Sequence, residues 1–276
     1  MKIGIVGFGH LGECLYNFIL KEGEKHGLEI EFVWNRSPEK LSLVESDKIL
    51  TSLEDISCCS PDLIVEVAHP NISKQYGATF LSIADYFIGS PTALADEAVK
   101  TELEKSAKQY KHGVYIPSGA FWGAQDIQKM AILGTLATLK VTMKKHPSAF
   151  RVLEPLESLN KSVKDQPVVL FEGSVGDLCP LAPNNVNTMA VAAIAAHNLG
   201  FNKVKGCLIS DPSLGGWHIV EIEARGKVTD SGECFSVITT RKNPSSPGFV
   251  TGKATFCSFC ASLLRARGQG VGIHMC

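Results

Sequence analysis

Residues Met1–Leu15 read MKIGIVGFGHLGECL. The run is apolar from Ile3 to Val6, then Gly7, Gly9 and Gly12 carry it into a helix starting near Leu11. This G-x-G-x-x-G spacing asks something different of each glycine. Gly7 permits the tight turn out of the strand, Gly9 lets backbone approach a pyrophosphate, and Gly12 lets the helix lie close to the strand. The helix N-terminus adds unpaired N–H groups and a partial positive charge. Glycine-rich turns are common, but here the turn follows a strand, opens a helix and precedes a second strand at βαβ distance. The stretch predicts a nicotinamide dinucleotide site, contacted by Gly7, Gly9, His10, Leu11 and Gly12.

The next strand is Leu28–Trp34, LEIEFVW, after a helix expected to end near Glu22. An acidic residue at the end of such a strand bonds the ribose 2′-hydroxyl of NAD. This chain has Asn35, Arg36 and Ser37 there instead. Arg36 is suited to a 2′-phosphate, with Asn35 and Ser37 as hydrogen-bond partners, which points to NADP. Arg36 is also readable as a solvated loop charge, which leaves NAD open as the cofactor.

LIVEVA (Leu63–Ala68) is a third strand, ending at His69-Pro70. Loops at the C-terminal ends of such strands line the cofactor crevice, so Ala68 joins the expected cofactor contacts and His69 the candidate substrate contacts. Further strands are expected at Asp85–Ser90 and Val114–Ala120, with a charged helical stretch between them. Alternating strands and helices predict an α/β, Rossmann-type, doubly wound parallel sheet over residues 1–120.

From Phe121 the pattern changes to closely spaced strand candidates, interrupted by the alanine-rich helix Asn187–Gly200. Residues 121–250 are therefore expected to form a second, α+β domain with an open mixed sheet, serving substrate binding and dimerisation. A helix over about 251–276 is expected to pack back on the first domain.

Composition bounds the function. The 276 residues suit one large or two modest domains, and 45% hydrophobic with 20% charged residues is ordinary globular composition. A formal charge of −1 argues against general binding to nucleic acid or anionic membrane. No run approaches the ~18 apolar residues of a membrane span, and the apolar N-terminus is broken by its glycines rather than built as a signal peptide. Nine scattered cysteines suggest reduced thiols and a cytoplasmic protein. Cys257-x-x-Cys260 lacks a second pair or nearby histidines, so buried structural thiols are expected and no metal site.

A nicotinamide enzyme also needs a group that handles a proton. His218 begins a strand after Gly215-Gly216 and has a side chain that titrates near neutrality. Its position alone fits a catalytic histidine or a turn histidine. Asn184, Asn185 and Asn187 crowd the start of the alanine-rich helix, more amides than one cap needs. Asn185 is kept as a substrate candidate. Lys144, Lys145 and His146 cluster at a strand end and are candidates to neutralise substrate carboxylates, with a solvated charge cluster as the alternative.

Over essentially its whole length the chain resembles the L-aspartate dehydrogenase family. The resemblance is carried by GIVGFGHLG, FVWNRSP, DLIVEVAHP, IGSPTALAD, SGAFWGAQDI, VTMKKHP, LCPLAPNNVNTMAVAAIAA, WHIVEIEA and GIHMC. It implies NAD(P) contacts from Ala120 and Asn187 and a catalytic acid/base at His218. The implied reaction is NAD(P)-dependent conversion of L-aspartate to oxaloacetate and ammonia through iminoaspartate, or its reverse. The resemblance also implies a homodimer and, as in microbes, a link to NAD biosynthesis. The chain departs from the microbial pattern at Ala68-His69-Pro70 and in the bulky Phe121 and Trp122 beside the expected substrate position. An NAD(P)-binding sensor and a reductase of another oxo or imino acid are the alternative readings.

Overall fold

Strand β1 (Lys2–Val6) is buried along all but its first residue and leads through the glycine turn into helix α1 (His10–His26). Then come β2 (Glu29–Trp34), β3 (Leu63–Glu66), helix α2 (Pro70–Leu81), β4 (Asp85–Ile88), helix α3 (Glu97–Tyr110) and β5 (Gly113–Ile116). The chain continues through α4 (Ala124–Ile132), β6 (Leu136–Lys145), α5 (Leu156–Lys161), β7 (Val168–Ser174), α6 (Val175–Leu178) and α7 (Asn187–Ala195). It ends with α8 (Gly200–Lys203), β8 (Lys205–Ser210), β9 (Trp217–Val228), β10 (Cys234–Pro244), α9 (Lys253–Arg265) and β11 (Gly272–Met275). This computed structural model describes residues 1–276 and divides into two units, Met1–Pro117 with Phe259–Cys276, and Ser118–Ser258.

The first unit is a six-stranded sheet ordered β11-β5-β4-β3-β1-β2, every pair parallel. The order reverses beside β1, which lies between β2 and β3. That reversal opens a crevice outside the carboxyl ends of β1 and β3, where ligands of such sheets bind. Ile3, Ile5, Leu15, Val33, Leu63 and Val65 join one core cluster with Phe259, Leu263 and Cys276 from the far end of the sequence.

The second unit has a mixed five-stranded sheet, β10-β9-β6-β8-β7, in which only β6 and β8 run parallel. Alternation along β6 and β9 buries Leu139, Val141 and Met143 with Val220, Ile222 and Ala224, and turns Lys140, Lys144, Glu221 and Glu223 to the other face. Helix α7 is apolar nearly all round. It approaches β8 closely at Gly206, where a Cβ would meet the Met189 sulfur at 2.9 Å.

Several elements differ from their expected extents. The first helix runs to His26, where Gly27 at φ +63° caps it. The charged stretch after β4 begins as a tight turn, Pro91–Ala95, and becomes α3 only after Asp96, whose Oδ1 accepts from Ala98 N at 3.0 Å. Helix α7 stops at Ala195, because the Ala196 carbonyl takes the N–H groups of Leu199 and Gly200 at 2.8 Å. The C-terminal segment is not one helix. Gly268, Gly270 and Gly272 all have positive φ and turn the chain from α9 into β11.

Candidate active site

At the crevice of the parallel sheet, the three glycines of the turn meet different surroundings. Gly7 has φ +112° and donates to the Trp34 carbonyl at 2.8 Å; a Cβ there would come 2.8 Å from the Ala68 nitrogen. A Cβ on Gly12 would sit 2.1 Å from the Gly7 carbonyl oxygen. Gly9, by contrast, has nothing within 4 Å of its Cβ position, and as the α1 N-cap it offers no side-chain cap. Crowding explains Gly7 and Gly12; open space at a helix N-terminus is what a pyrophosphate requires at Gly9. The residues present fit an NAD(P) cofactor. His10 and Leu11 open the helix there, His10 exposed and Leu11 half-buried.

Asn35 is bonded to the backbone on both sides. Its Oδ1 accepts from Phe8 N at 3.0 Å and its Nδ2 donates to the Ser37 carbonyl at 2.9 Å, so it braces the glycine turn against the end of β2. Arg36 is exposed and Ser37 half-buried beside it. His69 caps α2, its Nδ1 accepting from Asn71 N at 3.2 Å. Burial first, and then the nearby Arg36 charge, hold its pKa below the ordinary range. Arg36 and His69 therefore share one edge of this crevice, with exposed Ala68 next to them.

In the second unit, the buried face of the mixed sheet ends in a polar row. Asn243 on β10 pairs with His218 on β9, and Lys145 on β6 lies one residue past the Lys144–Ile219 pair, opposite His218. All three are buried, at 2%, 5% and 3% exposure. The covering segment after β10 supplies acceptors: Lys145 Nζ donates to the Val250 carbonyl at 3.1 Å, and His218 hydrogen-bonds the Phe249 backbone. Burial lowers the Lys145 pKa to about 8. Burial and then the Lys145 charge lower that of His218 to about 3. The imidazole is thus neutral at physiological pH. Anchored at one nitrogen by the backbone, it presents the other as a base.

One row along, Arg241 on β10 faces Val220, and its Nη1 donates to the Gly119 carbonyl at 3.1 Å. This bond holds the loop that carries Ala120, which is buried, with Gly119 at φ +56°. Asn187 is the first residue of α7 and half-buried.

Three substrate candidates are otherwise engaged. Lys144 pairs with Glu221 at 2.8 Å on the opposite face of the sheet from His218, because neighbouring strand residues alternate faces. His146 caps the turn Pro147–Ala149, its Nδ1 accepting from Ser148 N at 3.2 Å. Asn185 is a buried latch: Oδ1 accepts from Arg151 N at 2.7 Å and Nδ2 donates to the Ala149 carbonyl at 3.1 Å. Phe121 is buried, and Trp122 lines a groove with Ile127, Met130, Phe235 and Val237. Cys260 is buried but Cys257 is exposed, so only one of that pair is a core thiol.

Of the expected lysine pair, the strand phase Val141, Met143, Lys145 singles out Lys145. One further residue was not among the expected site groups. Glu66, fully buried at the end of β3, is signalled only by being the one acid in LIVEVA.

Residues 126–262 match the family profile described as aspartate dehydrogenase, C-terminal, and residues 7–117 that described as homoserine dehydrogenase, NAD binding domain. The aspartate dehydrogenase domain-containing protein of Xenopus tropicalis is 49% identical over 100% of this chain and 98% of its own. The L-aspartate dehydrogenase of Methanocaldococcus jannaschii is 30% identical over 77% of this chain and 79% of its own. The crystal structure of aspartate dehydrogenase from Thermotoga maritima superposes with a TM-score of 0.67 at 22% identity, covering 96% of this chain and 94% of that one, which shows a common fold. Relatedness that runs end to end, on a fold with a dinucleotide turn at its sheet reversal, means that this chain belongs to the aspartate dehydrogenase family of NAD(P)-dependent oxidoreductases.

Proposed function

We propose that this protein interconverts L-aspartate, water and NAD(P)+ with oxaloacetate, ammonium, NAD(P)H and a proton. The observation that carries the reading is the buried, neutral His218 beside the Lys145 cation. The chemistry a bound nicotinamide supplies is hydride transfer at C2 of the substrate. Every other step needs charge and proton handling from the chain. Neutral His218 accepts a proton from the water that adds to C2 of iminoaspartate, then returns it to the departing amine. Lys145 attracts a substrate carboxylate, and pairing with that anion raises the basicity of His218 by offsetting the neighbouring positive charge. Arg241 acts through the Gly119 carbonyl, holding the Ala120 loop in the shape expected to meet the cofactor. Asn187 is assigned to the same cofactor contact.

NADP is the favoured cofactor, with NAD also accepted, because the exposed Arg36 stands where a carboxylate would select NAD. A homodimer is the proposed assembly. The groove of 860 Å³ lined by Trp122, Met130, Phe235 and Val237 supports it. Large apolar side chains gathered in this way mark an association surface.

The test is a steady-state assay with oxaloacetate and ammonium, using NADH and NADPH in turn, repeated with other oxo acids. The reading expects His218→Ala to lose turnover by about 10²–10⁴-fold while binding cofactor normally. Reduction of a different oxo acid in preference to oxaloacetate would reassign the substrate. A monomer by light scattering, unchanged by Phe235→Glu, would remove the dimer.

A further inference from the structure

Glu66 is fully buried at the carboxyl end of β3, between β1 and β4. No cation pairs with it. Its carboxyl is instead the meeting point of two loops. Oε1 accepts from Ala68 N at 2.7 Å, His69 N at 2.8 Å and Ser90 Oγ at 3.0 Å, and Oε2 accepts from Ser90 N at 3.0 Å. The first loop is the wall against which the glycine turn is built. A Cβ on Gly7 would come 2.8 Å from both the Ala68 nitrogen and the Val67 carbonyl carbon, and one on Gly12 would come 3.3 Å from Val67 Cγ2.

We propose that Glu66 is a positioning residue for the cofactor, whose ionised carboxylate fixes the Ala68–His69 backbone behind the glycine turn and makes dinucleotide affinity depend on pH. A residue needed only for sheet packing would be apolar here, as its β3 neighbours Leu63, Ile64 and Val65 are. Burying a carboxyl is costly unless its lone pairs are met, and all the donors meeting this one come from loops at the crevice edge. Ionised, the group can accept from every donor. Protonated, one oxygen becomes a donor, and Ser90 Oγ is the one partner able to accept. At least one backbone N–H bond then weakens.

Burial lifts the Glu66 pKa to about 7, against the opposing effect of its hydrogen bonds. The titratable groups facing it are few. Tyr86 on β4 is buried, hydrogen-bonded to Ser73 at 2.8 Å, and its pKa is pushed well above the ordinary range, so it stays neutral. Burial and then the Arg36 charge lower the pKa of His69, which caps α2, moving its titration to the acid side of its ordinary range. The transition near pH 7 therefore belongs to Glu66.

The inference rests on cofactor binding at the glycine turn, so the experiment reads binding and not turnover. NADH is titrated by fluorescence between about pH 5.5 and pH 8.5 into the wild-type protein and the Glu66→Gln, Ser90→Ala and Gly9→Ala variants. The wild-type Kd should fall about three- to tenfold as pH rises through the transition. Glu66→Gln should bind about three- to tenfold more weakly at pH 8, with a flat profile, because the amide nitrogen that replaces Oε2 cannot accept from Ser90 N. Ser90→Ala, which keeps the carboxyl and removes one stabilising donor, should move the midpoint to higher pH. A wild-type profile in Glu66→Gln, or an unmoved midpoint in Ser90→Ala, overturns the proposal. Unaltered binding by Gly9→Ala overturns the location of the cofactor instead, and the proposal with it.

Discussion

Lys145 on β6 and His218 on β9 face each other at the buried end of one mixed sheet, and the two cannot both be charged near neutrality. Lys145 keeps its proton up to about 8, while His218 gives its proton up well below neutral pH, at about 3. In the proposed reaction, the neutral base takes the proton of water while the fixed cation holds a substrate carboxylate.

The alkaline limb of kcat/KM should therefore report Lys145. Activity is expected to fall as pH rises through about 8, where the ammonium is lost. Lys145→Met should erase that limb, raise KM for oxaloacetate, and shift the His218 pKa upward by removing the positive neighbour. The pH–rate profile and an NMR titration of the His218 ring check both parts together.

His218 also makes stability depend on pH. Its folded pKa, about 3, lies below its ordinary value of 6.5, so between these values the unfolded chain binds more protons. Stability contributed by the neutral ring is complete above pH 6.5 and is lost as pH falls toward 3. Urea midpoints measured across that window should converge for wild type and His218→Asn at the acid end.

Gly9→Ala and Gly12→Ala separate ligand space from packing space. Gly9→Ala should leave the melting temperature close to wild type and weaken NADH binding about tenfold or more, since its Cβ enters open space intended for phosphate. Gly12→Ala drives a Cβ into the Gly7 carbonyl and should cost at least about 1–3 kcal/mol of stability. Thermal melts and binding titrations on the same samples distinguish them.

Arg36→Ala should weaken NADPH about tenfold or more while leaving NADH nearly unchanged, because only the former carries the 2′-phosphate. Comparable losses for the two cofactors would show that Arg36 acts on the shape of the crevice edge instead.

Asn185→Ala should behave as a stability variant. It strands the Arg151 N–H and the Ala149 carbonyl, at roughly 1–3 kcal/mol for each group left unsatisfied. Chemical denaturation should show this loss, and KM for oxaloacetate should stay near wild type.

How much of this was legible in the residues varies with the range of the interaction. The parallel sheet and the glycine turn follow from local grammar, because strand, glycine spacing and helix are contiguous in sequence, although the walls that crowd Gly7 come from Val67 and Ala68. The fates of Asn35, Asn185 and His146 did not follow. Their partners are backbone groups in turns whose course is set only when the loops close. Lys144 and Lys145 differ by one position, and a single step reverses the face a strand residue shows. Their assignment needed the phase of β6, which Val141 and Met143 disclose. Glu66 is not legible in the sequence because an acid in a strand gains meaning only from the donors around it, and Ser90 comes from another loop altogether.

Strand β11 pairs in parallel with β5, bringing Ile273 beside Val114 and His274 beside Tyr115, and Ser262 Oγ donates to the Cys276 carbonyl at 2.6 Å. The first unit is thus assembled from segments separated by the whole of residues Ser118–Ser258. On the ribosome, β1 to β5 emerge early and must wait, with one edge of their sheet uncovered, while the intervening unit is made and folds. Contacts so distant in sequence are slow to form, and an open edge is prone to pairing with other chains. The nucleotide-binding half, although translated first, is the half that is finished last.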